Sequence, residues 1–254
     1  GTYEPPKITT WAALQTAIDK AAAGATVTLT QDLTATSPSD KYINIPANKN
    51  ITLDLNGHTL DRGLKEAAAS SKGNAIRVGE DASVTIKNGT ITGSHPKNNI
   101  EKGALRCKET TELNLINVKF VDCKNVALFI IGVNKTNIKG CTFSGNTYGG
   151  AMVGGAAIDV AGSNKEITIE NCRFENNKAY YGGALYTEYY TDIVDGVVAN
   201  NYSTSAGGGI YANSSNHIVN ATIVNNAISE SSYAAGIYCP NSNTVENSVV
   251  WGNR

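Results

Sequence analysis

Tyrosine returns at a fixed place in the C-terminal half of the chain. GALY (183–186), GGIY (208–211) and AGIY (235–238) each end on it, so Tyr186, Tyr211 and Tyr238 stand 25 and 27 residues apart. The related AAID (156–159) puts Asp159 at the same place one period earlier, and Arg77 and Arg106 fill it in NAIR and GALR. Glu188, Tyr189 and Tyr190 follow just beyond Tyr186. Aromatic faces suit the apolar faces of sugar rings, and neighbouring carboxylates accept hydrogen bonds from sugar hydroxyls. Asp159, Tyr186, Glu188, Tyr189, Tyr190, Tyr211 and Tyr238 are therefore the candidate ligand contacts. Asp159 and Glu188 are the candidate acid or base if the site is catalytic. Ten of the twelve tyrosines lie at or after Tyr148, so the enrichment is regional. Tyrosine is also a good exposed strand residue that pairs with its neighbours, and this structural reading stays open beside the binding one. Asp192 and Asp195 could extend the acidic edge but belong to a different strand and corner.

Other chemistry finds little support. The three histidines are scattered: His58 falls at a corner with a structural role, His95 beside Pro96 in a loop, and His217 at a strand start, the last two read as solvent-exposed. The five cysteines form no CxxC and have no histidine nearby, so no metal site is expected, and no cofactor is implied. Cys141 and Cys172 occupy one repeat position, filled elsewhere by Val118, Gly196, Ala221 and Ser248, which reads as a small inward packing slot rather than a disulfide. The 21 basic and 22 acidic residues leave no basic face for nucleic acid. No apolar run reaches membrane-spanning length.

The elements that would position these residues repeat. One segment recurs as VTIKNGTITGS (84–94), LNLINVKFVDC (113–123), TNIKGCTFSGN (136–146), ITIENCRFENN (167–177), DIVDGVVANN (192–201), HIVNATIVNN (217–226) and TVENSVVWGN (244–253), with an earlier copy at 51–63. Its large apolar anchors are Leu60, Ile91, Phe120, Phe143, Phe174, Val198, Ile223 and Val250. Between the copies lies a second strand, NAIRV, ALRCK, AAIDV, GALYT, GGIYA and AGIYC. With Ile76, Leu105, Ile158, Leu185, Ile210 and Ile237 pointing inward, the next residues point outward and form the column Arg77, Arg106, Asp159, Tyr186, Tyr211, Tyr238. Two strands per period describe a coil around an apolar interior, and unequal periods place insertions at surface corners. A β-sandwich would not require such detailed likeness between repeats, nor the recurrence of Cys123, Asn146, Asn177, Asn201, Asn226 and Asn253 at their ends. Stacked about 4.8 Å apart, these asparagines would bond along the column and also take the left-handed backbone of the bend.

The start of the chain has a helical period. Trp11, Leu14, Ala17, Ile18 and Ala21 share a face, Thr9 or Thr10 can cap its start, and Gly24 ends it. The expected organisation is a linker over 1–10 and a single β-helix domain over 11–254, opened by a capping helix over 11–24 that covers the end of the solenoid.

The TVTLTQDL strand after this helix and the ITLDLNGHTL segment resemble the entrance to pectate-lyase-like proteins. The GGAL, GGGI, FSGN, FENN and NSVVWGN elements resemble the GGA(I/L) and FxxN repeats of polymorphic outer-membrane proteins and related bacterial surface proteins. The resemblance covers nearly everything from Trp11 onward and implies an all-β fold, a right-handed parallel β-helix (solenoid) with an N-terminal capping α-helix. This pectin lyase-like superfamily includes polysaccharide lyases and glycoside hydrolases. The WxDH and RxPxxR signatures of pectate lyases are absent, as are the NTD, DD, GHG and RxK elements of polygalacturonases; the NGH at 56–58 belongs to a corner.

The leading expectation is an extracellular or cell-surface module, adhesin-like and non-catalytic, that binds a polysaccharide or a surface protein through its lateral flank. The alternatives are a polysaccharide lyase or glycoside hydrolase using Asp159 or Glu188, and a structural spacer or filament subunit. The chain opens on Gly1 without a leader, so an exported form would have lost its signal peptide. It stops at Arg254 just after a complete repeat, which suggests a fragment, or end-to-end association through an uncapped C-terminal coil.

Overall fold

A computed structural model of the chain describes residues 7–36, 40–68, 72–97, 100–149, 154–229 and 232–254. Its strands wind as a parallel β-helix. One face is an eight-stranded sheet in which successive coils are neighbours, from Ile43–Ile45 through Ile76–Val78, Leu105–Lys108, Leu128–Ile131, Ile158–Ala161, Leu185–Tyr189 and Ile210–Ser214 to Ile237–Tyr238. A sixteen-stranded sheet forms the other two faces by bending around a corner. Strands Ser83–Thr92 and Glu112–Val121 run through that corner, while later coils break there into two shorter strands. The repeat segment is thus one bent strand or two short ones, and each coil has three faces rather than two. A three-stranded sheet of Lys178–Tyr181, Tyr202–Ala206 and Ala227–Ile228 adds a further edge in the later coils.

Strand alternation sends one set of side chains inward, and parallel register stacks them. The anchor column is continuous from Leu33 through Leu60, Ile91, Phe120, Phe143, Phe174, Val198 and Ile223 to Val250. Phe120, Phe143 and Phe174 stack face to face with centroids 4.9 and 5.1 Å apart, close to the spacing of adjacent strands. Cys141 and Cys172 occupy the small inward slot as free, buried thiols, and the Cys141 amide donates to Cys172 Sγ.

The closing asparagines form a buried ladder. The backbone N–H of Asn146, Asn177, Asn201 and Asn226 each donates to the side-chain oxygen of the next coil's asparagine, ending on Asn253. Each Nδ2 also donates to that oxygen and to a carbonyl of the preceding coil, those of Phe120, Phe143, Phe174 and Val198. One side chain therefore ties three coils together and leaves none of its amide groups unpaired, as burial demands. The expected double role is divided between neighbours. The left-handed backbone belongs to the residue before each ladder position: Asp122, Gly145, Asn176, Asn200, Asn225 and Gly252. A residue pinned by ladder hydrogen bonds stays extended, so the turn falls on its predecessor.

The helix spans Trp11–Lys20 and is shorter than the expected 11–24. Thr10 caps it by accepting from the Ala13 amide, and Lys49 Nζ donates to the carbonyls of Asp19 and Ala21 at its other end. Gly24 (φ 78°) instead turns the chain into the first strand. Trp11, Leu14 and Ile18 are buried on the core. Gln15 does the work of a missing strand: its side chain donates to the Asn44 carbonyl and accepts from the Asn44 amide, at 2.9 and 2.7 Å. Ile8 is also buried in the core, so the domain begins before residue 11 and that part of the expected linker is packed. Residues 1–6 lie outside the described residues. In the last coil Val250 keeps the register of the anchor column but is 49% exposed, and Val249 and Trp251 are exposed beside it.

The two asparagines of a corner should answer differently to glycine. Asn200→Gly keeps a left-handed residue where one is needed and should leave the urea midpoint nearly unchanged. Asn201→Gly strips an acceptor from Asn177 and donors from Phe174 and Ala199, with unsatisfied buried groups costing about 1–3 kcal/mol each. Equal losses at both positions would show that the division of roles is wrong.

Candidate functional site

The outward column of the eight-stranded sheet is confirmed in register as Asn44, Arg77, Arg106, Phe129, Asp159, Tyr186, Tyr211, Tyr238. Phe129 is the member the repeat pattern misses. Its strand, Leu128–Ile131, is apolar at every position and mostly buried on both sides, so it carries no in–out alternation to read. A second apolar cluster explains this: Val126, Phe129, Tyr148, Ala156 and Ala179 pack outside the coil, with Ile131 and Ala161 against them.

That outer layer changes the meaning of Asp159, which points away from the core yet is fully buried. Its Oδ2 lies 2.6 Å from Lys102 Nζ, and the Lys102 ammonium sits 4.8 and 5.3 Å from the rings of Phe129 and Tyr148. The chain closes over the pair at Gly154, where an added Cβ would come within 2.3 Å of Asp159 Oδ2 and 2.8 Å of the Tyr148 ring. Asp159 Oδ1 and the Tyr148 hydroxyl have no hydrogen-bond partner among the described residues. Burial pushes the Asp159 carboxyl up to about 6 despite the opposing pull of Lys102, and Glu188 adds to the rise. Burial likewise raises Tyr148 to about 12.

Glu188 is half-buried and accepts from the Gly162 amide at 2.5 Å, fastening a turn of the preceding coil. The expected pair of exposed carboxylates beside the tyrosines is therefore corrected: one is sealed in an ion pair and the other is engaged by backbone. Asp192 lies on the sixteen-stranded sheet beside His217, at 3.9 Å, and does not extend an acidic edge around Asp159. His217 is partly exposed, as expected. His95 is half-buried, and its Nδ1 is shielded without a partner among the described residues, so it is less open than expected. His58 has the structural role expected, contacting Asp32 across the corner at 3.2 Å.

The tyrosines do come together. Tyr186 and Tyr211 have centroids 5.2 Å apart, and Tyr211 and Tyr238 5.1 Å. Tyr181 meets Tyr211 edge-on at 5.1 Å and Tyr180 at 4.7 Å, while Tyr233 meets Tyr238 at 5.3 Å. Tyr186 is only 5% exposed and forms the floor of the cluster, whereas Tyr233 is 44% exposed. Tyr181 and Tyr233 are functional candidates that the repeat spacing passes over, because they enter from other strands and turns. Tyr189 and Tyr190 are exposed and touch each other, at 6.1 Å, but make no ring contact with the cluster among the described residues. Tyr190 takes a left-handed backbone (φ 52°) and lines a separate cavity with Lys165 and Asp192.

Among the described residues no group of three or more His, Cys, Asp or Glu is placed to hold a metal ion, and no helix is long and apolar enough to cross a membrane.

Removing one partner of a buried ion pair strands the other charge, so Lys102→Met should destabilise by about 3–5 kcal/mol. The double variant Lys102→Met/Asp159→Leu should recover most of that loss in urea unfolding. The folded-state pKa of Asp159 lies above its ordinary 3.8, so its contribution to stability is present below that value and is lost as pH rises through about 6. The stability of the parent relative to Asp159→Asn should accordingly increase between pH 7 and pH 4. A flat difference over that range would place Asp159 in a more solvated setting.

A family model described as "Right handed beta helix region" matches residues 49–187 and 103–254. No curated protein and no solved structure matches the chain.

Proposed function

The chain belongs to the right-handed β-helix family, and from that premise we propose that it is an extracellular or cell-surface module that binds glycan through its lateral flank without turning it over. The observation that supports this most is the tyrosine cluster, in which Tyr186, Tyr211 and Tyr238 follow one another in contact across three successive coils, with Tyr181 against Tyr211 and Tyr233 against Tyr238. A parallel coil holds such rings on a rigid scaffold at a regular spacing, so little ordering entropy remains to be lost when a repeating polymer settles on them. Tyrosine combines an apolar face with a polar hydroxyl, which suits a sugar ring and its substituents. The likeness of the GGAL, GGGI, FSGN and FENN elements to bacterial surface proteins supports the same reading. The sealing of Asp159 against Lys102 and the backbone contact of Glu188 weigh against either carboxylate serving as acid or base.

Binding of the purified protein to an array of neutral and acidic oligosaccharides, followed by calorimetry and by assay for released product, tests this. Saturable binding without product is expected. Tyr211→Ala, which removes the ring at the centre of the cluster, should weaken it about tenfold, or roughly 1.4 kcal/mol. Unchanged affinity in Tyr211→Ala would return the tyrosines to a packing role, and product formation would make the protein an enzyme.

A further inference from the structure

The outward column that ends in tyrosines begins in cations. Arg77 and Arg106 are register partners on adjacent coils. With Lys108, Asn44 and Glu80 they line a cavity of about 350 Å³ on the flank of the eight-stranded sheet.

Two of the three cations are matched. Arg77 Nε donates to Asn74 Oδ1 at 2.9 Å, its Nη2 pairs with Glu101, and its guanidinium lies 4.5 Å from the Tyr42 ring. Lys108 pairs with Glu109 at 2.9 Å. Arg106 is different. Its guanidinium lies 5.0 Å from the centre of the Phe129 ring, its Nη1 is shielded from solvent, and it has no hydrogen-bond acceptor among the described residues. Glu80 shares the cavity but forms no ion pair among those residues.

A guanidinium carries five N–H donors in a planar fork and does not lose its charge in a protein. Holding one partly out of water, beside a second guanidinium and with no acceptor, is unfavourable unless something brings the acceptor. The Arg106 charge also adds to the cost of ionising Arg77, which Glu101 partly meets. An oxyanion meets both needs at once, because two of its oxygens match the fork and its charge offsets the pair.

We propose that this cavity is an oxyanion-binding site, with Arg106 supplying the donor and the charge that nothing else among the described residues meets. The group recognised is a sulfate, phosphate or carboxylate, free or carried as a substituent on a larger molecule. The site is independent of the tyrosine cluster, from which Phe129 and Asp159 separate it along the column.

The test is a titration of arginine-labelled protein with inorganic sulfate, inorganic phosphate and acetate, at ionic strength held constant with chloride, following the arginine Nε–H signals. A second arm compares glucose 6-phosphate and glucose 6-sulfate with glucose. Saturating shifts of the Arg106 signal are expected with at least one oxyanion. Followed at the neighbouring Arg77 signal, Arg106→Gln should weaken that binding at least tenfold, whereas Arg173→Gln, which alters an exposed arginine paired with Glu175, should not. Arg106→Lys keeps the charge and the stem over Phe129 while removing the fork, so it tests the same point should Arg106→Gln fold poorly. Tighter binding of the sugar esters than of the inorganic ions would assign the group to a substituent, and the reverse to a free anion. Shifts that never saturate, or that persist in both Arg106 variants, would overturn the proposal. Because glucose alone is the blank, failure here leaves the glycan reading of the tyrosine cluster untouched, and failure there leaves this one.

Discussion

Adjacent coils lie one strand spacing apart, and the rest of the molecule depends on keeping that repeat in register. Parallel pairing places each residue directly over its counterpart in the previous coil, so a column is either uniformly compatible or a fault at every step. Inside, the compatible solutions are stacked phenylalanines and stacked asparagines. The asparagine ladder is the stricter of the two, because each amide is oriented by donors and acceptors on both neighbouring coils. A one-residue slip would send apolar anchors outward and leave several buried polar groups unpaired at once.

Such stacking leaves an open end that must be satisfied. At the N-terminal end the helix covers the core with Trp11, Leu14 and Ile18, and Gln15 mimics a strand against Asn44. A side-chain amide has the same donor and acceptor as a peptide group, so one residue can meet the hydrogen-bonding demand of the first strand of the eight-stranded sheet. The helix thus provides both apolar cover and polar completion, which a helix chosen for its apolar face alone would not.

Register also organises the outside. The columns that order the core also line up Arg77 with Arg106 and Tyr186 with Tyr211 and Tyr238 on the flank. Aromatic rings gain from such alignment, while two guanidiniums repel and carboxylates require partners. The fold answers these conflicts locally: Glu101 sits against Arg77, Phe129 interrupts the charged series, and Lys102 reaches Asp159 from two coils away. The flank is consequently graded from a cationic end through a sealed ion pair to an aromatic end.

The sequence by itself determined what repeats. The anchor column, the asparagine column, the small slot of Cys141 and Cys172, the outward direction of Tyr186, Tyr211 and Tyr238, and the helix at Trp11 are all legible, because each is a spacing imposed by strand or helix geometry. Coverage was decided only by the tertiary structure. Asp159 is outward by alternation yet buried, since its fate depends on Lys102, 57 residues away, and on a corner closing at Gly154. Phe129 was hidden because a strand packed on both faces loses the alternation that announces it. Tyr189 stays in the strand opposite Ser214, where the next coil offers no ring, and Tyr190 turns out of it in a left-handed conformation. The division of labour within each Asn–Asn pair appears only when hydrogen bonds pin one member. Periodic contacts leave a periodic trace in the chain, whereas contacts made by corners of unequal length leave none.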